Sequence, residues 1–336
     1  MQLREEMRQS ILARLNQDID PLEGFYTDDD TREAILAVMI SGRHLLLEGA
    51  PGTGKTTLAR ILASHLPPMQ VVADCRYNCD PEHPGCPDCL ASRTGPESIE
   101  VNGIDRFVRI QGSPELMPED LMGDIDPVIA MQCGIRDPKA FTPGKIHSAH
   151  RKILFIDELN RVPERTQNTL IQVLEERNTT IAGFDISIDV DTIVIATQNP
   201  EEYAGADRVS ETLSDRFEHI RIGYPNTEQE VDILKRYARR FDGVEFDEKF
   251  LDEVVRISRA TRNDEDFSRH GSVRASIAIY EQAQAMAQLN GRAEVSGEDL
   301  AKAARIGLAG RVEVSPDSTY YENQDALIRR IIGGGG

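Results

Sequence analysis

Gly49-Ala50-Pro51-Gly52-Thr53-Gly54-Lys55-Thr56 decides the reading of this chain. The run fits G-x-x-x-x-G-K-[ST], follows the apolar residues Leu45-Leu46-Leu47 and precedes a helix-like stretch from Thr57 to His65. That strand–loop–helix setting separates a phosphate-binding P-loop from a chance glycine-rich turn. Backbone N–H groups of such a loop point inward and, with the helix N-terminus, cradle polyphosphate anions. Lys55 is expected to reach the β- and γ-phosphates of ATP, and the Thr56 hydroxyl to help hold Mg²⁺. Gly49 to Thr57 is therefore the expected nucleotide contact, and the motif implies binding of a nucleoside triphosphate.

Composition bounds the rest. A chain of 336 residues with 40% hydrophobic content accommodates a nucleotide-binding core and a smaller second domain. No apolar run approaches the roughly 20 residues of a membrane span, and Met1 to Ser10 is charged, so the expected location is the cytoplasm. The net charge is −19, and only seven of the 38 basic residues are Lys. An acidic surface argues against tight nonspecific binding of nucleic acid, which relies on neutralising phosphates.

Short Leu-rich or β-branched runs at 44–49, 107–110, 153–157, 192–197 and 220–223 are separated mostly by helical patterns. That alternation predicts an α/β core with a parallel five-stranded sheet. From Pro225 onward helical periodicity takes over, with helices expected over 227–241, 247–260, 272–290 and 297–308, the last started by Ser296 and Asp299. The expected organisation is a nucleotide-binding core over 1–224, a helical lid over 225–310, and a tail or linker over 311–336. Two insertions interrupt the core, a Cys-rich one over 71–105 and another over 122–145.

Ile153-Leu154-Phe155-Ile156-Asp157-Glu158 is an apolar strand ending in two acids, about 100 residues beyond the P-loop. At the C-terminal edge of an open sheet, Asp157 is suited to bind Mg²⁺ and Glu158 to orient the attacking water. Asn199, ending the next strand, is placed to hold that water or a phosphate oxygen, or else serves as a turn residue before Pro200. Arg216 follows a helix end, where a cation can face a neighbouring subunit's γ-phosphate or form a plain surface ion pair. Arg274 opens a lid helix and is a candidate contact to the nucleotide of its own subunit, or an ordinary helix-start arginine.

Cys75, Cys79, Cys86 and Cys89 place four thiols within 15 residues, among Pro81, Pro84, Gly85 and Pro87. With Tyr77 as its sizeable apolar residue, this segment needs a staple to be ordered, and four thiolates suit a structural Zn²⁺. Free thiols, a redox-active pair and an Fe–S cluster stay open as alternatives, and His83 is a substitute ligand. Cys133 stands apart as a small apolar residue.

The order of these elements resembles an AAA+ ATPase, and the best match is the MoxR and magnesium-chelatase AAA subunit group. The resemblance is carried by Leu45 to Gly49, Arg109-Ile110-Gln111, Leu116 to Gly123, Asp157-Glu158-Leu159-Asn160-Arg161 and Ala196 to Pro200, and covers roughly residues 24–310. It implies an AAA+ core with a helix-2 insert at 122–145 and a pre-sensor-1 hairpin at 179–191, followed by an all-α lid. It also implies that Asn199 is the sensor-1 residue, Arg216 a trans arginine finger and Arg274 the sensor-2 arginine. Ring assembly, usually hexameric, comes with the group. Cys-bearing inserts similar to the one here occur in its chelatase-like members. One departure is Gly24-Phe25-Tyr26-Thr27-Asp28, where MoxR-like chains often carry a Val-Gly-Gln-like start; Phe25 and Tyr26 are candidate walls of an adenine pocket.

The expected function is an ATP-hydrolysing motor that remodels a partner complex. By resemblance the partner is a von Willebrand A-domain protein, and in a chelatase also a tetrapyrrole-binding subunit. A nucleic-acid motor is the alternative, weakened because Thr179 to Asp189 contains no Lys or Arg. A small-molecule kinase is disfavoured by Glu158, which points to water as nucleophile.

Overall fold

The computed structural model describes residues 2–91, 97–135, 137–176, 178–180, 187–199 and 209–334. The chain divides into two compact units, Met1–Gly49 with Gly54–Ile222, and Ala50–Thr53 with Gly223–Gly336.

Eleven strands are described in the first unit. They are β1 His44–Glu48, β2 Met69–Val72, β3 Ser98–Val101, β4 Phe107–Gln111, β5 Gly123–Ile125, β6 Phe141–Pro143, β7 Lys152–Asp157, β8 Asn178–Thr180, β9 Ser187–Asp189, β10 Thr192–Gln198 and β11 Phe217–Arg221. Five of them form the parallel sheet β11-β1-β10-β7-β4. Alternation along the strands sends residues to opposite faces. Leu45, Leu47, Ile153, Phe155, Ile193 and Ile195 pack with Leu58 and Leu62 of the helix Lys55–Ser64. Leu46, Leu154, Ile156, Val194 and Ala196 face the other way, onto Leu170 and Val173 of the helix Glu164–Glu176. A parallel sheet covered on both faces needs this near-continuous apolar content, which is why the central strands were legible.

The fifth strand was expected at 220–223 and lies at Phe217–Arg221. It is an edge strand in which Phe217 and Ile220 are buried and Glu218, His219 and Arg221 are exposed. Its interleaved polar residues hid its start. Separate two-stranded pairings join β2 with β3 at the first insertion and β5 with β6 in the second, and β8 pairs with β9 where the hairpin was expected. Ile181 and Ile186, part of the expected alternation of the hairpin, lie outside the described residues.

The helix Leu3–Leu15, not anticipated from the sequence, buries Leu3, Met7 and Ile11 in the first unit's core. Glu6 on this helix pairs at 2.6 Å with Arg106, whose side chain is 0% exposed. Arg106 also donates to the carbonyls of Pro67 (2.8 Å) and Arg151 (2.9 and 3.0 Å). Burial lowers the pKa of Arg106, and the Glu6 charge opposes that shift. Removing one partner of a buried ion pair leaves an uncompensated charge in a dry site. Glu6→Ala is therefore expected to destabilise the chain by about 3–5 kcal/mol in a urea titration. A loss below about 1 kcal/mol, the range of exposed pairs, rejects this account.

The second unit holds the helices Thr227–Tyr237, Glu248–Ala260, Val273–Leu289, Gly297–Ala309 and Gln324–Ile332. Ser296 and Asp299 form the anticipated capping box: Ser296 Oγ accepts from Asp299 N (3.3 Å) and Asp299 Oδ2 from Ser296 N (2.9 Å). To the helices the unit adds a short antiparallel pair, β12 Phe267–Arg269 with β13 Glu313–Val314. The stretch 311–336, expected as a tail or linker, is instead part of this unit. Leu327, Ile328 and Ile331 are buried with Leu251, Val254, Leu300, Ala304 and Leu308. Its apolar positions 327, 328 and 331 have helical spacing and require a partner face, which those helices provide.

Candidate active site

Parallel strands bring their C-terminal ends to one edge, and the loops leaving that edge carry the chemistry. Register places Gln111 beside Asp157, and Glu48 beside Gln198. Glu48 leads into Gly49, the start of the P-loop. Gly54 has φ +88°, a left-handed conformation that favours glycine, and a Cβ there would lie 3.3 Å from the Phe25 ring. The helix then begins at Lys55, so Thr56 and Thr57 stand in its first turn with its unsatisfied N–H groups. Lys55 Nζ donates to the Gly49 carbonyl at 2.6 Å, which holds the ammonium across the loop's own base. Tyr26, the other suggested adenine wall, is partly exposed.

The two acids after β7 are held by different groups. Asp157 Oδ1 accepts from Thr197 Oγ1 (2.8 Å), and Asp157 Oδ2 pairs with Arg109 Nη2 (2.6 Å). Glu158 has φ +57°, uncommon for a residue with a side chain. Its N–H donates to Thr197 Oγ1 (2.9 Å), so one hydroxyl ties both acids to the neighbouring strand. Glu158 Oε2 accepts from Gln111 Nε2 (3.1 Å) and Arg161 Nη1 (3.0 Å). Gly112 donates its N–H to the Asp157 carbonyl (2.7 Å), and a Cβ at Gly112 would sit 2.1 Å from the Glu158 carbonyl oxygen. Sequence reasoning gave Arg109, Gln111, Gly112, Arg161 and Thr197 no role at these acids. Only Gly112, a glycine directly after a strand, carried a hint.

Asn199 follows β10 and is buried. Arg216 lies between the helix Glu211–Ser214 and β11, and its guanidinium pairs with Glu175 and donates to the Thr212 carbonyl. In the second unit, Arg274 is in the first turn of the helix Val273–Leu289. A Cβ on Gly52, which has φ +81°, would meet Ser272 at 2.8 Å and Arg274 Cγ at 3.6 Å. Gly52 is thus required by conformation and by space. The four thiols of Cys75, Cys79, Cys86 and Cys89 converge, with their sulfurs within 4.8 Å of one another.

Three family models match consecutive stretches of the chain. Residues 23–76 match the magnesium chelatase subunit ChlI, residues 82–219 the ATPase family associated with various cellular activities (AAA), and residues 259–331 the AAA lid domain. The chain belongs to the AAA+ ATPases of the MoxR and magnesium-chelatase group. Among its relatives, the chaperone MoxR1 of Mycobacterium tuberculosis is 26% identical over 90% of this chain and 77% of its own. A magnesium-chelatase subunit ChlI homologue of Methanocaldococcus jannaschii is 26% identical over 94% of this chain and 91% of its own. In fold, the chain is similar to a RuvB variant of Thermotoga maritima, with a TM-score of 0.51 at 18% identity over 85% of this chain and 72% of that one.

An AAA+ ATPase uses a nucleotide with Mg²⁺, and this chain has the donor set for both. Left-handed glycines and helix N–H groups suit phosphates, while the Thr56 hydroxyl and the Asp157 carboxylate are hard oxygen ligands of the kind Mg²⁺ takes. Bound there, the ion would neutralise phosphate charge. Among the described residues no helix of this AAA+ chain is long and apolar enough to cross a membrane.

Proposed function

We propose that this chain is the motor of a two-component remodelling system, assembled as a ring whose active sites are shared between neighbouring subunits. In each site Lys55 and the P-loop N–H groups bind the phosphates. Glu158 polarises the attacking water, and Asn199 orients it. Arg274 contacts the nucleotide of its own subunit, and Arg216 serves the site of the next.

The position of Arg216 carries this reading. Phe217 pairs with His44, the first residue of β1, whereas the P-loop leaves after Glu48, the last. Arg216 therefore sits at the opposite end of the sheet from its own P-loop, roughly 16 Å away at about 3.3 Å per residue. A cation placed there fits a second subunit's γ-phosphate. Its ion pair with Glu175 would hold it in the isolated chain and be exchanged for phosphate on assembly.

The partner in this proposal is a von Willebrand A-domain protein, as the MoxR and chelatase resemblance implies. The test is affinity capture from source-cell extract with the Glu158→Gln chain and ATP, which should retain the partner-bound state. Recovery of a von Willebrand A protein with a tetrapyrrole-binding subunit makes this a chelatase motor. Recovery of one without such a subunit supports an assembly factor. A monomeric chain under these conditions, with neither partner retained, overturns the proposal.

A further inference from the structure

The cysteine insertion between β2 and β3 is not used by nucleotide chemistry, yet its four thiols converge and its side chains are packed against neighbouring elements. We infer that Cys75, Cys79, Cys86 and Cys89 hold one Zn²⁺, and that the metal-closed loop is the platform supporting the roots of both inserted hairpins.

The sulfur geometry is that of a single ion. All four Sγ atoms lie within 4.8 Å of one another, and Cys75 Sγ is 3.8 Å from Cys86 Sγ. Four sulfurs at about 2.3 Å from a tetrahedral Zn²⁺ stand about 3.8 Å apart along each edge. A disulfide requires about 2.05 Å, and a four-iron cluster spreads its thiolates further because each binds a different iron. Cys79 and Cys86 are buried.

Backbone donors face the sulfurs as a thiolate site requires. Tyr77 N and Cys79 N point to Cys75 Sγ at 3.4 and 3.5 Å, Cys86 N to Cys79 Sγ at 3.3 Å, and Cys89 N to Cys86 Sγ at 3.4 Å. Asn78, in the tight loop between the first two cysteines, has φ +50°. Such N–H donors offset the negative charge that four thiolates leave around a divalent ion. Soft sulfur ligands in a tetrahedral set select zinc over the hard cations used at the nucleotide.

The platform role follows from what the loop touches. Val72, Tyr77, Cys79 and Cys86 form a small core with Phe141 of β6 and Ile188 of β9. Phe141 belongs to the insert over 122–145, and Ile188 to the hairpin of β8 and β9. Tyr77 meets the buried His147 edge-on at 5.4 Å, and Phe141 meets the same ring at 5.7 Å. Asn78 Nδ2 donates to the Ser148 carbonyl at 2.9 Å, and Arg151 Nη1 to the Gln70 carbonyl at 2.9 Å. A segment this poor in apolar side chains does not hold such contacts without a cross-link. The metal supplies it, and both hairpins stand on the result.

The test uses the full wild-type chain. Elemental analysis should give about one zinc per chain, released by a thiol-modifying reagent, and Co²⁺ substitution should give the intense visible bands of a tetrahedral tetrathiolate ion. Removing the metal should raise hydrogen exchange at least about tenfold in peptides containing Phe141 and Ile188, with the helix Lys55–Ser64 unchanged. Cys86→Ser should lose the zinc and reproduce the exchange change. Iron in place of zinc, a disulfide found by mass spectrometry, or no bound metal overturns the site. Zinc release without any exchange change at Phe141 and Ile188 overturns the platform. Failure of partner capture leaves both outcomes readable, because neither measurement involves a partner.

Discussion

Glu158→Gln is expected to bind ATP as the native chain does and to lower turnover by about 10²–10⁴-fold, the span of a lost general base. Glutamine keeps the size of the side chain and an oxygen that accepts from Gln111 and Arg161, so the local geometry survives. What is lost is the negative oxygen that takes a proton from water. Lys55→Ala should fail earlier, at binding. Lys55 is expected to make two charge-assisted bonds to phosphate, each worth about 1.5–3 kcal/mol, so affinity falls by roughly 10²–10⁴-fold. Calorimetric titration with a non-hydrolysed ATP analogue, together with phosphate release, separates the two variants. Substantial hydrolysis by the Glu158→Gln chain removes this carboxylate from the reaction.

The second large effect is on Arg216→Ala. Folding should be little changed, because the pair with Glu175 is partly exposed and such pairs contribute about 0–1 kcal/mol. Turnover should fall by about 10³–10⁵-fold, the value of an arginine finger, with nucleotide binding intact. Because Arg216 lies at the far end of the sheet from its own P-loop, loss in one subunit can be made good by another. Arg216→Ala chains mixed with Lys55→Ala chains should therefore recover activity that neither has alone. Each productive site would join an intact Lys55 from one chain to an intact Arg216 from its neighbour. An Arg216→Ala chain with undiminished turnover, or a mixture that stays inactive at concentrations where rings form, rejects the shared site.

Much of the core was readable because its physics is local. The strands at 44–48, 152–157 and 192–198 are buried on both faces and written as unbroken apolar runs. The P-loop and the Asp157-Glu158 pair are likewise contiguous stretches whose chemistry depends on adjacent residues. What escaped depends on residues distant in sequence. The helix Leu3–Leu15 shows a narrow stripe at Leu3, Met7 and Ile11 among charges, and its partner for Glu6 is a hundred residues away at Arg106. Thr197 reaches Asp157 and Glu158 only because β10 lies beside β7. The cysteine spacing pointed to a metal, but nothing local tied it to Phe141 or Ile188. Glu175 gave no sign that it holds Arg216.

The assignment of Ala50–Thr53 to the unit that runs from Gly223 through the final helix sets an order for biosynthesis. Ribosomes deliver these four residues early, with the strand that precedes them. The unit they join is finished only when Leu327, Ile328 and Ile331 arrive to fill its core. Between those two moments the tip of the nucleotide loop is translated but lacks the rest of its unit. A nascent chain stalled before residue 324 should accordingly present the strands of the parallel sheet, while the unit that includes Ala50–Thr53 still lacks the helix Gln324–Ile332 that closes its core.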